Sequence, residues 1–497
     1  MSGEVQAPSA PFSHPEEAWE TVVGLEVHCE LRTETKLFCG CRNAFGAPPN
    51  TNVCPVCLGL PGSLPVVNRT AVEFAMRIGL ALRCRVEPSI FHRKNYFYPD
   101  MPKDYQVSQY DLPINVDGWL ALPGGLRVGI ERAHMEEDTG KTTHVGGGGR
   151  IHDAGYSLVD YNRAGVPLVE IVSRPDLRSA GDARAYVEEL RSILVAIGVS
   201  DGKMEEGSLR VDANVSVRTL GSPTLGTRCE IKNMNSLRSL NRAVEYEAAR
   251  QIGVVSSGGQ VVQETRHWDE ANGVTRSLRT KEEAYDYRYF LEPDLVPLAP
   301  DDAWVAAVGA ALPVLPAERR RRVAAAASLG EDDNAVATVV RLDLDAFVVA
   351  AAAAGADAAL AVRRLANEVA AHVDGGHHLE PDAFCRLLAM ESRGELTTAQ
   401  ARDVLRHLME EGGDPAAVAS SLGFEALDSG ALADAVAAVI AEHSVEWGRF
   451  VAGEDKLQGF FVGKVKAATA GKADLREVSA LLRSRRTAAG GAAPGPT

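Results

Sequence analysis

The sequence predicts an α+β protein, β-rich through about residue 296 and all-helical after it. Three observations carry this reading. The first part contains segments of strict two-residue alternation, TVVGLEVHCEL at 21–31 and SLRVDANVSVR at 208–218. Prolines then crowd together as Pro293, Pro297, Pro300, Pro313 and Pro316, a composition that interrupts both strands and helices. Beyond them the chain is Ala-rich and Arg-studded, with helical periodicity over Asp343–Val373 and Pro381–Met390.

The length of 497 residues and a hydrophobic content of 45% fit a globular chain with a large core. The opening, MSGEVQAPSAPFSHPEEAWE, is polar, Pro-rich and acidic, so residues 1–18 read as a disordered tail rather than a leader. Every long apolar run is broken by charge, so no membrane partner is expected and the cytoplasm is the default location. The net charge of -15 argues against nucleic-acid binding by the chain as a whole. One region differs: Lys456 to Arg486 holds eight Lys and Arg against Asp474 and Glu477. No internal repeat is evident.

The strand at 21–31 puts Leu25, Val27, Cys29 and Leu31 on one face and Glu26, His28 and Glu30 on the other. Such a face is either solvated or a set of acid/base and cation ligands aimed at one spot. Next come Cys39-x-Cys41 and, after twelve intervening residues, Cys54-x-x-Cys57, set in Pro/Gly turns. In a chain this large, two such knuckles read as a four-thiolate structural zinc site rather than a disulfide framework. Thr70–Cys84 has helical period. FHRKNYFYPDMPKDYQVSQYD reads as a shaped, Pro-rich loop whose aromatics either anchor packing or sit beside Lys94 and Lys103 at a phosphate.

A strand ending in HMEED (134–138) leads to Gly146–Gly149, which lacks the spacing of a phosphate-binding loop. Glu170 lies in the apolar strand VPLVEIVS and needs either a cationic partner or a metal ion. Ser179 with Asp182 predicts a capped helix to about Gly198. The strand at 208–218 then aligns Arg210, Asp212, Asn214, Ser216 and Arg218, and TRCEIKN aligns Arg228, Glu230 and Lys232. Several strands offering acids beside basic groups suit the floor of a polyphosphate and metal site. A helix over Ser236–Gln251 is followed by Ser256-Ser257-Gly258-Gly259, which reads as a turn because no partner lysine accompanies it.

Together VGLEVHCEL, YFYPDMPKDYQVSQYD, HMEEDTGK, VEIVSRPDL, MEEGSLRVDANVSVR, EIKNMNS and LQGFFVGKVKAATAGKAD resemble the GatB family, a component of the bacterial aspartyl/glutamyl-tRNA(Asn/Gln) amidotransferase. The likeness runs in unbroken order from Thr21 nearly to Arg486. It implies a glutamine-synthetase-like catalytic cradle over 19–296, a helical domain over 297–425 and a tRNA-binding tail domain over 426–490. It also implies the reaction: ATP phosphorylates the side-chain carboxylate of Glu or Asp mischarged on tRNA(Gln) or tRNA(Asn), and ammonia then displaces the phosphate. The ammonia comes from glutamine hydrolysed by a partner amidase, in a heterotrimer completed by a third, small protein.

By the same resemblance Glu26, His28, Glu137 and Glu170 fall at Mg²⁺ and catalytic positions, with Lys94, Asp212 and Glu230 completing the catalytic set. Asn214 and Lys232 share the strand face and are expected in the ATP/substrate pocket. Cys39, Cys41, Cys54 and Cys57 match the zinc-bearing form of the family. Lys456, Lys464, Lys466 and Lys472 in the basic segment are expected to meet tRNA phosphates. Two other classes fit parts of the sequence: a free-standing ligase of a small amino acid, and a noncatalytic zinc-containing RNA-binding scaffold.

Overall fold

The alternation in the first part becomes one twisted sheet. The computed structural model describes residues 19–146, 154–280, 287–375, 377–424, 429–469, 473 and 475–490. Its strands are β1 (Trp19–Glu30), β2 (Arg85–Val86), β3 (His92–Asn95), β4 (Tyr105–Ser108), β5 (Asn115–Ala121), β6 (Arg127–Glu137) and β7 (Lys141–Val145). There follow β8 (Tyr156–Asp160), β9 (Pro167–Ser173), β10 (Leu209–Thr219), β11 (Cys229–Lys232), β12 (Glu264–Asp269), β13 (Val274–Thr280) and β14 (Phe290–Leu291). The main sheet runs β13-β12-β11-β10-β1-β9-β6-β4-β3-β14, with β5 joined to β6 and β2 to β5. The β11–β12 pair is parallel and the others are antiparallel, so the sheet is mixed. Strands β7 and β8 form a separate hairpin.

Strand β1 lies in the middle, between β10 and β9. Its register sets Glu26 opposite Asp212 and His28 opposite both Arg210 and Glu170. Leu25, Val27 and Cys29 are buried and pack in one core with Val211, Ile171 and Met135 of neighbouring strands. The same core takes residues from α1 (Arg69–Ala81), α2 (Ala180–Ala196) and α3 (Leu237–Ser256). Each of these helices starts on a side-chain cap, Asn68, Ser179 and Ser236, worth about 1 kcal/mol apiece. The expected reciprocal capping box at Ser179 is only half made. Ser179 Oγ accepts from the Asp182 N–H at 3.0 Å, but Asp182 turns back to the Arg178 N–H at 3.2 Å.

Two segments depart from the sequence reading. The stretch expected to be a loop contains the β3–β4 hairpin, in which Lys94 pairs with Gln106 and Arg93 with Val107. The run expected as one helix over Asp343–Val373 is broken into Asp345–Ala353 and Ala358–Arg364, then a π turn over Leu365–Val369 and a 3₁₀ turn over Ala370–Gly375. Gly355, at φ +73, ends the first piece in a left-handed conformation that a helix cannot continue. Ser257 and Gly258 close α3 as a turn, as their composition predicts. Of the Gly146–Gly149 run, only Gly146 lies among the described residues.

The chain forms two compact units, Met1–Pro316 and Ala317–Thr497. The first runs through the proline cluster to Pro316 because helix Asp302–Ala310, within the cluster, packs on α1, with Trp304 Nε1 donating to Glu73 at 3.1 Å and Arg69 over the Trp304 ring. The second contains two apolar clusters, one among helices between Val323 and Ala419 and one around Val436, Phe450 and Phe461. Among the described residues no helix is long and apolar enough to cross a membrane.

Candidate active site

With the apolar face of the sheet packed against helices, the polar residues of five strands converge on the other face. Side chains two apart on β1 lie about 7 Å from each other, which places Glu26 and His28 in two adjoining clusters. In the first, His28 Nε2 lies 3.6 Å from Glu170 Oε2 and 3.8 Å from Glu136 Oε1. In the second, Glu26, Asp212 and Glu230 bring ligand oxygens within 4.8 Å of one another. Asn214 Nδ2 donates to Glu26 Oε1 at 2.9 Å, and Thr265 Oγ1 donates to Glu230 Oε2 at 2.9 Å. Lys232 Nζ sits 2.6 Å from Asp212 Oδ2 and 3.3 Å from Glu230 Oε1.

The charges of the first cluster set one another's protonation. Burial would raise the Glu170 carboxyl, but His134, His28 and Lys94 hold it well below the usual range. Glu136 is pushed up by burial and by the charge of Glu170, with Lys94 and His28 opposing. Burial would lower His28, yet Glu170, Glu136 and Asp212 raise it to about 9. Lys94 also lies 4.7 Å from the ring of Tyr287, and Arg132 Nη2 lies 4.0 Å from Glu170 Oε1.

Both clusters fit a divalent cation. One imidazole and two carboxylates suit Mg²⁺ or Mn²⁺, and three carboxylates suit a hard ion such as Mg²⁺. His134 lines the first cluster without belonging to its ligand set. It is 5% exposed, its Nε2 faces Glu170 at 3.7 Å, and its Nδ1 is buried without a hydrogen-bond partner. Burial lowers this imidazole to about 4, so it is neutral at physiological pH.

A protonated imidazole cannot bind a metal, so His28 supplies a test. Its folded-state value of about 9 lies above the ordinary value of 6.5. The associated stability is fully present below about pH 6.5 and is lost as pH rises through about 9. Loading Mn²⁺ at pH 7 should therefore release about one proton, seen as a buffer-dependent calorimetric enthalpy that falls away as pH rises through about 9 and is absent in His28→Asn. A buffer-independent enthalpy at pH 7 would contradict the cluster's role.

The structure thus gathers Glu26, His28, Lys94, Glu170, Asp212, Asn214, Glu230 and Lys232 on one face. Glu137 is the exception. It is the next residue after Glu136 on β6 and points to the opposite side of the sheet. There it pairs with Lys103 and accepts the Val107 N–H at 2.9 Å. It lines a cavity of about 190 Å³ with Phe38, Cys57, Arg93 and Glu292. Glu136 takes the place beside His28 and Glu170 that was expected of Glu137. Alternation in HMEED groups Glu136 with His134 and sets Glu137 apart, and the pairing of His134 and His28 with Glu170 is what turns the Glu136 face toward the cluster.

Comparison with known proteins agrees with this arrangement. The family model of the GatB/GatE catalytic domain matches residues 21–306, and that of the GatB domain matches residues 346–485. The chain belongs to the GatB family. Relatives named as the B-type component of aspartyl/glutamyl-tRNA(Asn/Gln) amidotransferase are similar over almost their whole length. That of Moorella thermoacetica is 49% identical over 480 residues, covering 94% of this chain and 99% of the relative. Those of Thermobifida fusca and Frankia casuarinae are 48% and 50% identical, covering 96% and 94% of this chain and 95% of each relative.

In this GatB-family chain the four knuckle cysteines also converge, with their sulfurs within 4.8 Å of one another. Cys54 Sγ and Cys57 Sγ are 3.9 Å apart, close to the roughly 3.8 Å edge of a tetrahedron built on 2.3 Å metal–sulfur bonds. The Cys39 thiol donates to Cys57 and lowers it to about 5, with Lys36 assisting. Lys36 is fully buried and donates to the carbonyls of Asn52 at 2.8 Å and Tyr161 at 3.4 Å. That buried ammonium was not singled out in the sequence. It offsets thiolate charge and ties the second knuckle to the base of the β7–β8 hairpin. Of the four lysines expected to meet tRNA, Lys456, Lys464 and Lys466 are exposed, and Lys472 lies outside the described residues.

Proposed function

We propose that this GatB-family chain phosphorylates and then amidates the side-chain carboxylate of Glu or Asp mischarged on tRNA(Gln) or tRNA(Asn). The observation that carries the reading is the convergence of His28, Glu136 and Glu170 beside Glu26, Asp212 and Glu230, flanked by Lys94 and Lys232, on one sheet face. A noncatalytic scaffold has no use for six such groups gathered from separate strands.

His28, Glu136 and Glu170 would hold one Mg²⁺, and Glu26, Asp212 and Glu230 a second. Bound there, Mg²⁺ supplies the charge that offsets the triphosphate during phosphoryl transfer. The chain's own groups do the rest. Lys94 contributes a compact positive charge that orients an anionic substrate group, and Asn214 and Thr265 fix the carboxylates of Glu26 and Glu230. In the first step a carboxylate oxygen of the aminoacyl side chain attacks the γ-phosphorus and ADP leaves. In the second, ammonia attacks the acyl carbon, inorganic phosphate leaves and the nitrogen loses a proton, giving the amide. The cradle is read as glutamine-synthetase-like, and the cysteine cluster as structural Zn²⁺ with no open position. The proposed setting is a cytoplasmic heterotrimer in which a partner amidase releases the ammonia and a third, small protein completes the assembly.

An assay of the co-purified complex on each mischarged tRNA, with ATP and glutamine, tests the whole reading. A phosphorylated aminoacyl intermediate without glutamine, and amide with it, is the expected result. Failure on every mischarged tRNA would refute it. Deleting the chain after Ala426 separates the free-standing ligase, which would keep full activity, from a tRNA enzyme, which would lose affinity.

The exposed lysines of the last helices give a narrower expectation. Lys464→Ala/Lys466→Ala/Lys472→Ala should weaken cognate and non-cognate tRNA alike and reduce the salt slope of log Kd by about three. Unchanged affinity and slope would place the grip on tRNA elsewhere.

A further inference from the structure

Lys232 is a cation already seated among the second cluster's oxygens. Strand β11 gives Glu230 and Lys232 the same face, and β10 brings Asp212 alongside, so the ammonium reaches both acids at 2.6 and 3.3 Å. The three carboxylates differ in how they are held. Glu26 accepts from the Asn214 amide and Glu230 from the Thr265 hydroxyl, both short polar side chains fixed on strands. Asp212 instead accepts from the end of a flexible four-carbon stem. The Lys232 side chain is 40% exposed, against 14% for Asp212 and 8% for Glu230. It therefore has an outward path that the acids lack.

We propose that Lys232 is an exchangeable counter-ion, displaced from Asp212 by the incoming divalent cation and then free to meet the phosphate oxygens of the nucleotide. This rests on the reading of Glu26, Asp212 and Glu230 as a cation site. The physical argument is competition for the same oxygens. A divalent ion and an ammonium repel at contact distance, and a lone pair that donates to the ion cannot also accept from Lys232. With no ion bound, the ammonium relieves the mutual repulsion of the three carboxylates and keeps them clustered. With an ion bound, it has lost its partner and stands at the mouth of the site. There the polyanionic substrate is the nearest source of compensating charge. The exchange needs no proton transfer and no covalent step.

Mn²⁺ titrations of the full-length chain, followed by the electron paramagnetic resonance of free Mn²⁺, test this. The His28/Glu136/Glu170 cluster serves as an internal reference class. Lys232→Met should tighten the other class about tenfold, a Coulombic effect reduced by the side chain's exposure. The reference class should stay within about twofold. Lys232→Arg, which keeps the charge, should stay near the wild-type Mn²⁺ affinity, and the KM for ATP should rise in the Met variant and be partly restored in the Arg variant. Lys232→Gln guards against a folding defect of the Met variant, since either neutral residue should tighten Mn²⁺. Unchanged or weaker Mn²⁺ binding in a folded neutral variant overturns the exchange. Asp212→Asn should abolish the second class. If it leaves both classes intact, the cation-site reading fails, and the exchange fails with it for a distinguishable reason.

Discussion

Glu170→Gln is expected to cut ATP-dependent phosphorylation of the aminoacyl carboxylate by at least about 100-fold while leaving tRNA affinity within about twofold. Glu170 is the hub of the first cluster: it faces His28 at 3.6 Å, His134 at 3.7 Å and Arg132 at 4.0 Å. Gln keeps the size of the side chain and removes the charge that a cation and His28 both need. Glu136→Gln should behave in the same way. Glu137→Gln should instead retain the Mn²⁺ stoichiometry, because its carboxylate is engaged with Lys103 and the Val107 N–H on the far side of the sheet. Quench-flow detection of the phosphorylated intermediate, paired with Mn²⁺ counting on each variant, distinguishes the three. Wild-type phosphorylation by Glu170→Gln, or loss of a Mn²⁺ site in Glu137→Gln, would refute this assignment.

The contrast between Glu136 and Glu137 shows where sequence stops being informative. Alternation within one strand is a property of the backbone, so the face shared by Glu26 and His28, and that shared by Asp212 and Asn214, were legible. So was the thiolate site, because CxC and CxxC fix their own turns. Choosing between adjacent acids needs the strand's phase against its neighbours, and that is set by cross-strand register. The pairing of His134 with Glu170 and of His28 with Glu170 establishes it for β6 and β9. Resemblance supplied a residue number one position away from the face that the register selects. Lys36 was hidden for another reason. Its partners are carbonyls of Asn52 and Tyr161, up to 125 residues distant, and a buried lysine has no local signature in the chain. The break of the Asp343–Val373 helix was likewise concealed by Ala-rich composition, which favours helix everywhere and says little about where one ends.

Removing a metal held by Cys39, Cys41, Cys54 and Cys57 should have the largest effect on stability of any single change. In a site closed by four thiolates, metal binding is coupled directly to folding. Here the knuckles also anchor neighbouring structure. Asn50 donates to the β8 end, from its N–H to Asp160 Oδ1 at 2.9 Å and from its side-chain amide to the Val159 carbonyl at 3.0 Å. Asn52 N–H donates to Asn162 Oδ1 at 2.8 Å. Gly165, held at φ +84 beside Cys57, accepts the Leu37 N–H and donates to the Asp138 carbonyl through bonds of 2.9 Å. Cys54→Ser, or exhaustive chelation, should therefore lower Tm by at least about 10 °C, since each kcal/mol is worth roughly 1–2 °C in a unit of this size and a structural zinc site contributes about 10 kcal/mol or more. The phosphoryl-transfer rate, measured well below the new transition, should change by less than about threefold, because His28, Glu136 and Glu170 stand on β1, β6 and β9 and not on the knuckles. Elemental analysis of the stripped and zinc-repleted protein should return one equivalent, with Tm recovered in the wild type and not in Cys54→Ser. A metal-free protein with full thermal stability would rule out the structural role.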